Sequence, residues 1–167
     1  FIPNTGYVLA MQLERKSDKR ALQALLPIPQ QIGRFIRLPS DKGDCRFLPM
    51  EELLLLHISS LFPGYRIKAH FEFRVLRDSD LEVEEEAEDL IREFEILLKQ
   101  RRRGRVVRLK LDKNAEESLK QFIIHGVGAE EQDIVEVEGI LGMAQLSELI
   151  VDERPDLIFA PYEPRFP

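Results

Sequence analysis

Apolar and polar positions alternate strictly from Tyr65 to Arg77. Tyr65, Ile67, Ala69, Phe71, Phe73 and Val75 fall on one side of an extended chain. Arg66, Lys68, His70, Glu72, Arg74 and Leu76 fall on the other. Successive side chains of a strand point to opposite faces, so a period of two over this length predicts a β-strand, with a bulge near His70. The pattern then changes. Val83, Ala87, Leu90, Ile91, Phe94, Leu97 and Leu98 recur at steps of three and four, which predicts a helix over about 84–103. Gly104 suits the left-handed stop. Arg105–Asp112 alternates again, with Val107, Leu109 and Leu111 set against Val106, Arg108 and Lys110. This strand–helix–strand unit organises the chain.

The flanking segments extend it. Tyr7–Glu14 and Arg20–Ile28 are apolar runs joined by Arg15-Lys16-Ser17-Asp18-Lys19, which predicts a β-hairpin ended by Pro27 and Pro29. Two short extended pieces, Arg34–Pro39 and Arg46–Pro49, precede a helix over Glu51–Phe62. Leu53, Leu54, Leu55, Leu56, Ile58 and Leu61 make that helix apolar over most of its surface, so it is expected to be covered on more than one side, a second subunit being one candidate cover. Pro63-Gly64 stops it. Asn114 with Glu117 forms a capping pair for a helix ended by Gly126. Asp133–Gly139 reads as a strand and Gly142–Val151 as a short helix. The fold class is therefore α/β of the α+β type: a mixed sheet of about five or more strands with helices packed on it. Residues 1–153 form one domain. Residues 154–167 hold four prolines and are expected to run extended into a further domain.

Composition narrows the class. The chain has 167 residues, 44% hydrophobic and 32% charged, as in globular domains with a real core. No apolar run approaches the roughly 18 residues of a membrane span. The single cysteine, Cys45, permits no internal disulfide and fits a reducing, cytoplasmic setting. The net charge of −6 is concentrated: Asp78–Glu95 carries ten acids and one base, Arg92. The remainder is slightly basic, so a local site for a polyanion is compatible with the acidic total.

Several short motifs occur together in a fixed order: Arg34-Phe35-Ile36-Arg37-Leu38-Pro39, Phe47-Leu48-Pro49-Met50-Glu51-Glu52-Leu53, Leu61-Phe62-Pro63-Gly64 and Phe73-Arg74-Val75-Leu76-Arg77-Asp78. After the acidic helix come Arg103-Gly104-Arg105-Val106-Val107-Arg108-Leu109 and the closing Arg154-Pro155-Asp156-Leu157 with Pro164-Arg165-Phe166-Pro167. In these the chain resembles the head, or middle, domain of bacterial polyphosphate kinase of the histidine-phosphorylated type. The resemblance spans nearly the whole chain. Where this chain has Leu76, members often carry Thr or Ser, so no hydroxyl role transfers to that position. The resemblance implies a parent enzyme that moves the terminal phosphate of ATP to and from inorganic polyphosphate through a phosphohistidine, with magnesium assisting. It places that chemistry in other domains. This segment is expected to hold no cofactor, while ATP and Mg serve the parent. Its implied partners are the other domains of the same polypeptide and a second copy in a dimer that helps frame the active site.

The residues themselves offer few sites. His57 lies in the leucine-rich helix, His70 on the charged strand face and His125 at a helix end, none with the spacing of a metal site. The acids of Glu82–Asp89 point in all directions around a helix start and suit solvent better than magnesium. Arg101-Arg102-Arg103 matches the dipole of a helix end as well as it would grip polyphosphate. If the two strands flanking the acidic helix are parallel neighbours, Arg66, Lys68 and Arg74 lie with Arg108 and Lys110 on one sheet surface. Those five cations could meet a polyanion or pair with acids. Arg34, Arg37, Arg74 and Arg77 fall inside the family-like motifs and are candidate phosphate or interdomain contacts. No catalytic residue is expected in the segment. The rivals are a purely structural dimerisation domain centred on the leucine-rich helix and a nucleic-acid or other polyanion-binding module, of which the nucleic-acid reading is the weaker. It is disfavoured because Phe71 and Phe73, the rings available for stacking, share the apolar face.

Overall fold

A computed structural model describes residues 2, 4–41, 43–78, 104–160 and 162–164. The predicted acidic helix, its acid run and Arg101-Arg102-Arg103 lie outside these residues. A five-stranded mixed sheet in the order β2-β1-β5-β6-β7 forms the framework. Its strands are β1 (Tyr7–Arg15), β2 (Ala21–Pro27), β5 (Tyr65–Arg77), β6 (Val106–Asp112) and β7 (Ile134–Val137). A separate two-stranded ribbon pairs β3 (Phe35–Leu38) with β4 (Arg46–Pro49). The hairpin, the ribbon and the sheet thus match the predicted α/β class.

The connection from β5 to β6 differs from expectation. These strands are antiparallel, with Arg74 opposite Lys110 and Leu76 opposite Arg108. The only parallel pair among the described strands is β6–β7.

The strict alternation is also interrupted twice. Against β1, Gln12 pairs with Ala69 but Leu13 pairs with Ile67, leaving Lys68 as the extra residue of a bulge. A one-residue insertion exchanges the faces beyond it. Phe71, Phe73 and Val75 therefore join Val8 and Ala10 on one face, while Tyr65 and Ile67 join Leu9, Met11 and Leu13 on the other. The expectation that all six odd-numbered apolar residues share a face fails at this bulge. The same happens in β6. Leu76 pairs with Arg108 and Arg77 with Val106, so Val107 is skipped. Val106 is buried and Val107 is 49% exposed, the reverse of simple alternation.

Helix α3 (Glu117–Val127) covers the first face with Leu119, Ile123 and Val127. Its N-cap is Glu116 rather than Asn114: the Glu116 carboxylate accepts from the Ser118 and Leu119 amides at 3.2 and 2.9 Å. The Asn114 amide instead donates to Asp112 Oδ1 at 2.8 Å. The helix runs through Gly126, and Gly128 at φ 72° supplies the left-handed stop.

The opposite face is covered by α1 (Met50–Leu56) and α2 (Ile58–Leu61), two short pieces broken at His57 where one helix was expected. Leu55, Ile58 and Phe62 pack on Leu9, Met11 and Leu13. Leu56, by contrast, is 69% exposed. Beyond β7, Met143–Leu149 forms a 3₁₀ segment in place of the expected helix. Its Gln145 accepts a hydrogen bond from the Tyr7 hydroxyl. In the tail, Pro155–Leu157 makes one 3₁₀ turn.

Candidate polyanion and interdomain contact site

Arg34 enters from the segment before β3 and is 4% exposed. Its Nη2 donates to Glu51 Oε1 at 2.9 Å and to Glu72 Oε1 and Oε2 at 2.9 and 2.8 Å, and its Nη1 donates to the Leu141 carbonyl. The guanidinium also lies 4.3 Å from the centre of the Tyr7 ring. Every element of this knot has a local cause. Glu51 sits in the first turn of α1, where an acid favours the helix dipole. Glu72 points to this face because it lies on the β1 side of the Lys68 bulge that pairs it with Leu9. Arginine suits the place because its planar fork can hold two carboxylates at once.

The electrostatics are those of one cation between two anions. Burial pushes the Glu72 carboxyl up to about 7, and the nearby Glu51 charge adds to this, while Arg34 pulls the other way. Burial also works against the charge on Arg34, but Glu51 and Glu72 outweigh it and hold the guanidinium above its ordinary value. Arg34 is therefore a structural tie between four segments, with its donors spent on protein groups. A cavity of about 330 Å³ beside the knot is lined by Glu51, Glu72, His70 and Asp112. Among the described residues no group of His, Cys, Asp and Glu is arranged to hold a metal ion.

The other predicted cations scatter. Arg37 pairs with Glu153 at 2.8 Å on the surface. Arg66 Nε donates to Glu14 Oε1 at 2.8 Å, and Lys68 lies 4.0 Å from the same carboxylate. Arg66 sits opposite Glu14, beyond the bulge, so it faces away from Arg74. The Arg74 guanidinium donates to the Thr5 carbonyl at 2.8 Å and lies 5.1 Å from the Tyr7 ring centre. Arg77 Nη1 donates to the Gly104 carbonyl at 3.0 Å, its Nε is buried without a hydrogen-bond partner among the described residues, and burial holds its guanidinium below the usual value.

The antiparallel register brings together only part of the expected surface. Arg74 lies opposite Lys110, and Arg108 lies one pair further along on the same face. Among the described residues, Arg108 and Lys110 have no carboxylate within ion-pair distance. The five-cation surface is thus a three-cation patch, with Arg66 on the other face and Lys68 at the bulge. A second cavity of about 340 Å³ opens beside Arg74 and is lined by Tyr7, Arg34 and Gln145. Tyr7 closes it by donating to Gln145 Oε1 at 2.8 Å.

The histidines lack the surroundings of a nucleophile. His125 Nδ1 contacts the Gln121 carbonyl at 2.7 Å, one turn back on α3. His57 breaks the α1–α2 helix, and His70 lines the acidic cavity. Phe71 and Phe73 are packed in the core, 6.2 Å apart between ring centres, and cannot stack on bases. Sequence reasoning missed the Arg34–Glu51–Glu72 knot. Its members lie 17 and 38 positions apart, and no local pattern announces the pairing.

A family model described as the polyphosphate kinase middle domain matches residues 1–149. The chain is 36% identical over 167 residues to a polyphosphate kinase of Erythrobacter litoralis, covering all of this chain and 23% of that protein. It is 34% identical over 171 residues to one of Mycolicibacterium gilvum, covering all of this chain and 24% of the relative. A crystal structure of polyphosphate kinase from Porphyromonas gingivalis shares the fold, with a TM-score of 0.72 at 21% identity, over 99% of this chain and 23% of that one. The chain thus spans about a quarter of the length of the relatives it matches, and it belongs to the polyphosphate kinase middle-domain family.

Proposed function

We propose that this chain is the head segment of a polyphosphate kinase that transfers the terminal phosphate of ATP reversibly to inorganic polyphosphate, through a phosphohistidine outside this segment. The observation that carries the reading is the match of the middle-domain family across residues 1–149, joined to relatives of which the chain makes up about a quarter. The side chains support the division of labour. Among the described residues the one buried cation, Arg34, is consumed in holding segments together, and none of the three histidines is hydrogen-bonded to a carboxylate. A histidine nucleophile needs an orienting partner and stabilising donors around the transferred group. In this reading ATP and Mg are bound elsewhere in the parent, which works in the cytoplasm. The segment contributes dimerisation and a wall of the active-site tunnel.

Arg74, Arg108 and Lys110 are the best candidates for touching polyphosphate on that wall, because they share one face and Arg108 and Lys110 have no carboxylate within ion-pair distance among the described residues. Incubating the purified chain with ATP and magnesium should give no polyphosphate and no phosphorylated protein. Robust phosphorylation would overturn the division of labour. Titration with polyphosphate and with single-stranded RNA across a salt series tests the wall. Weak, salt-sensitive binding of polyphosphate that is lost in Arg108→Glu/Lys110→Glu supports it, and binding of RNA with equal strength favours a general polyanion module.

A further inference from the structure

The cavity beside Arg74 has walls of opposite chemistry. Its volume of about 340 Å³ is that of a small-molecule site. The Arg74 guanidinium lines one wall, fixed by the Thr5 carbonyl and the Tyr7 ring. The Glu148 carboxylate lines another, and its Oε2 accepts from the Phe35 N–H at 3.1 Å. Gly33 permits that approach, since a Cβ there would lie 3.0 Å from Glu148 Oε2. Among the described residues neither Arg74 nor Glu148 has an opposite charge within ion-pair distance, although both line one cavity. Ile28, Pro29 and Ile32 add an aliphatic wall, and Ile32 is 58% exposed, an apolar surface left for a ligand to cover.

Gln145 and Glu148 stand three residues apart in the 3₁₀ segment Met143–Leu149. Three residues make one 3₁₀ turn, so the two side chains leave the same side of the segment. The Tyr7 hydroxyl occupies Gln145 Oε1 at 2.8 Å, which leaves the Gln145 amino group as a donor. Glu148 beside it can only accept while ionised. A donor next to a carboxylate complements the edge of guanine, where O6 accepts and N1–H and the N2 amino group donate. Adenine presents the reverse at both places. Its amino group would meet the Gln145 donor, and its bare ring nitrogen would meet the carboxylate.

The cationic wall continues along the sheet. Lys110 lies opposite Arg74, and Arg108 lies one pair further on the same face, so the cations follow one another by one strand spacing and then by two residues. We propose that this segment binds a guanine nucleoside di- or triphosphate, with the base on Gln145 and Glu148 and the phosphates on Arg74, Lys110 and Arg108. The proposal rests on the polyphosphate wall above only in taking those three cations as open to phosphate. The reading of the base is independent of that wall.

Calorimetric titration of the 167-residue chain with GTP, ATP and tripolyphosphate at low salt tests this. GTP should bind about tenfold or more tighter than ATP, the discrimination that a two-point base contact supplies. Glu148→Gln keeps an acceptor for the Phe35 N–H but gives up the carboxylate. It should erase the preference for GTP while tripolyphosphate binding and the thermal melt stay as in the parent. Lys110→Glu should weaken GTP, ATP and tripolyphosphate together. Absence of GTP binding overturns the site, and so does GTP bound equally well by Lys110→Glu. Tripolyphosphate bound as tightly as GTP, or a preference for GTP that survives Glu148→Gln, overturns the base contact and leaves the polyphosphate wall standing. Long-chain polyphosphate that fails to bind while GTP keeps its preference overturns the wall alone.

Discussion

The two faces of the sheet bury their surface by different means. Against α3, Val8, Ala10, Phe71, Phe73, Val75, Leu109 and Leu111 meet Leu119, Ile123 and Val127 with no charged side chain among the buried members. Against α1, α2 and the segment after β7, the apolar contacts of Leu9, Met11 and Leu13 end at the Arg34–Glu51–Glu72 knot. The α3 face draws on burial alone, worth about 1.5–3 kcal/mol for each large side chain. The ionic face gains little net free energy from its charges, because desolvation offsets most of the attraction. What it gains is position. A greasy contact tolerates sliding, whereas one guanidinium shared by two carboxylates and a carbonyl sets where the segment before β3, α1, β5 and the Leu141 loop must meet.

That contrast can be broken at its strongest point. Arg34→Ala leaves two carboxylates buried without their cation and should cost about 3–5 kcal/mol in denaturant unfolding. Loss of under about 1 kcal/mol would show that water reaches the knot freely. On the other face, Leu119→Ala should cost about 2–5 kcal/mol by opening a cavity under α3, and that loss should be the same at pH 5 and pH 8.

The pH dependence separates the faces further. Glu72 titrates at about 7 in the folded chain and in the ordinary carboxylate range when unfolded. The folded state therefore binds more protons between roughly pH 4 and 7, and this group's contribution to stability falls as pH rises through that window. Glu72→Gln should flatten this slope, measured as the change in unfolding midpoint from pH 5 to pH 8, whereas an unchanged slope would assign it to another group. The smallest effect is expected outside both faces. Arg37→Ala removes an exposed pair with Glu153 and should leave the midpoint within error, since exposed pairs contribute little.

Much of the framework was legible in the chain. The hairpin of β1 and β2, strand β5 and the helix after Asp112 all follow from periodicity, because each is decided by neighbours within a few residues, although that helix runs past Gly126 to Gly128. The motif order also pointed to the right family. Legibility failed where one residue shifted a face. Lys68 and Val107 each look like an ordinary member of an alternating strand, yet each is the unpaired residue of a bulge, and a bulge is a property of two strands. The predicted cation surface failed for the same reason: Arg66 and Arg74 are on one side in sequence parity and on opposite sides in space. The capping of α3 failed more locally: Asn114 is the better cap by type, but the turn out of β6 spends its amide on Asp112 and starts the helix at Glu116.

The sequence by itself determined the strands, the helix after β6, the α/β class and the kinship, because side-chain period and turn chemistry act over short range. Only the tertiary structure decided which of the described cations meet a carboxylate, which face each end of β5 serves and that the Arg34 donors are spent on protein groups. Those outcomes depend on burial and on charges brought together from segments far apart in the chain, where the cost of an unpaired buried charge selects the partner.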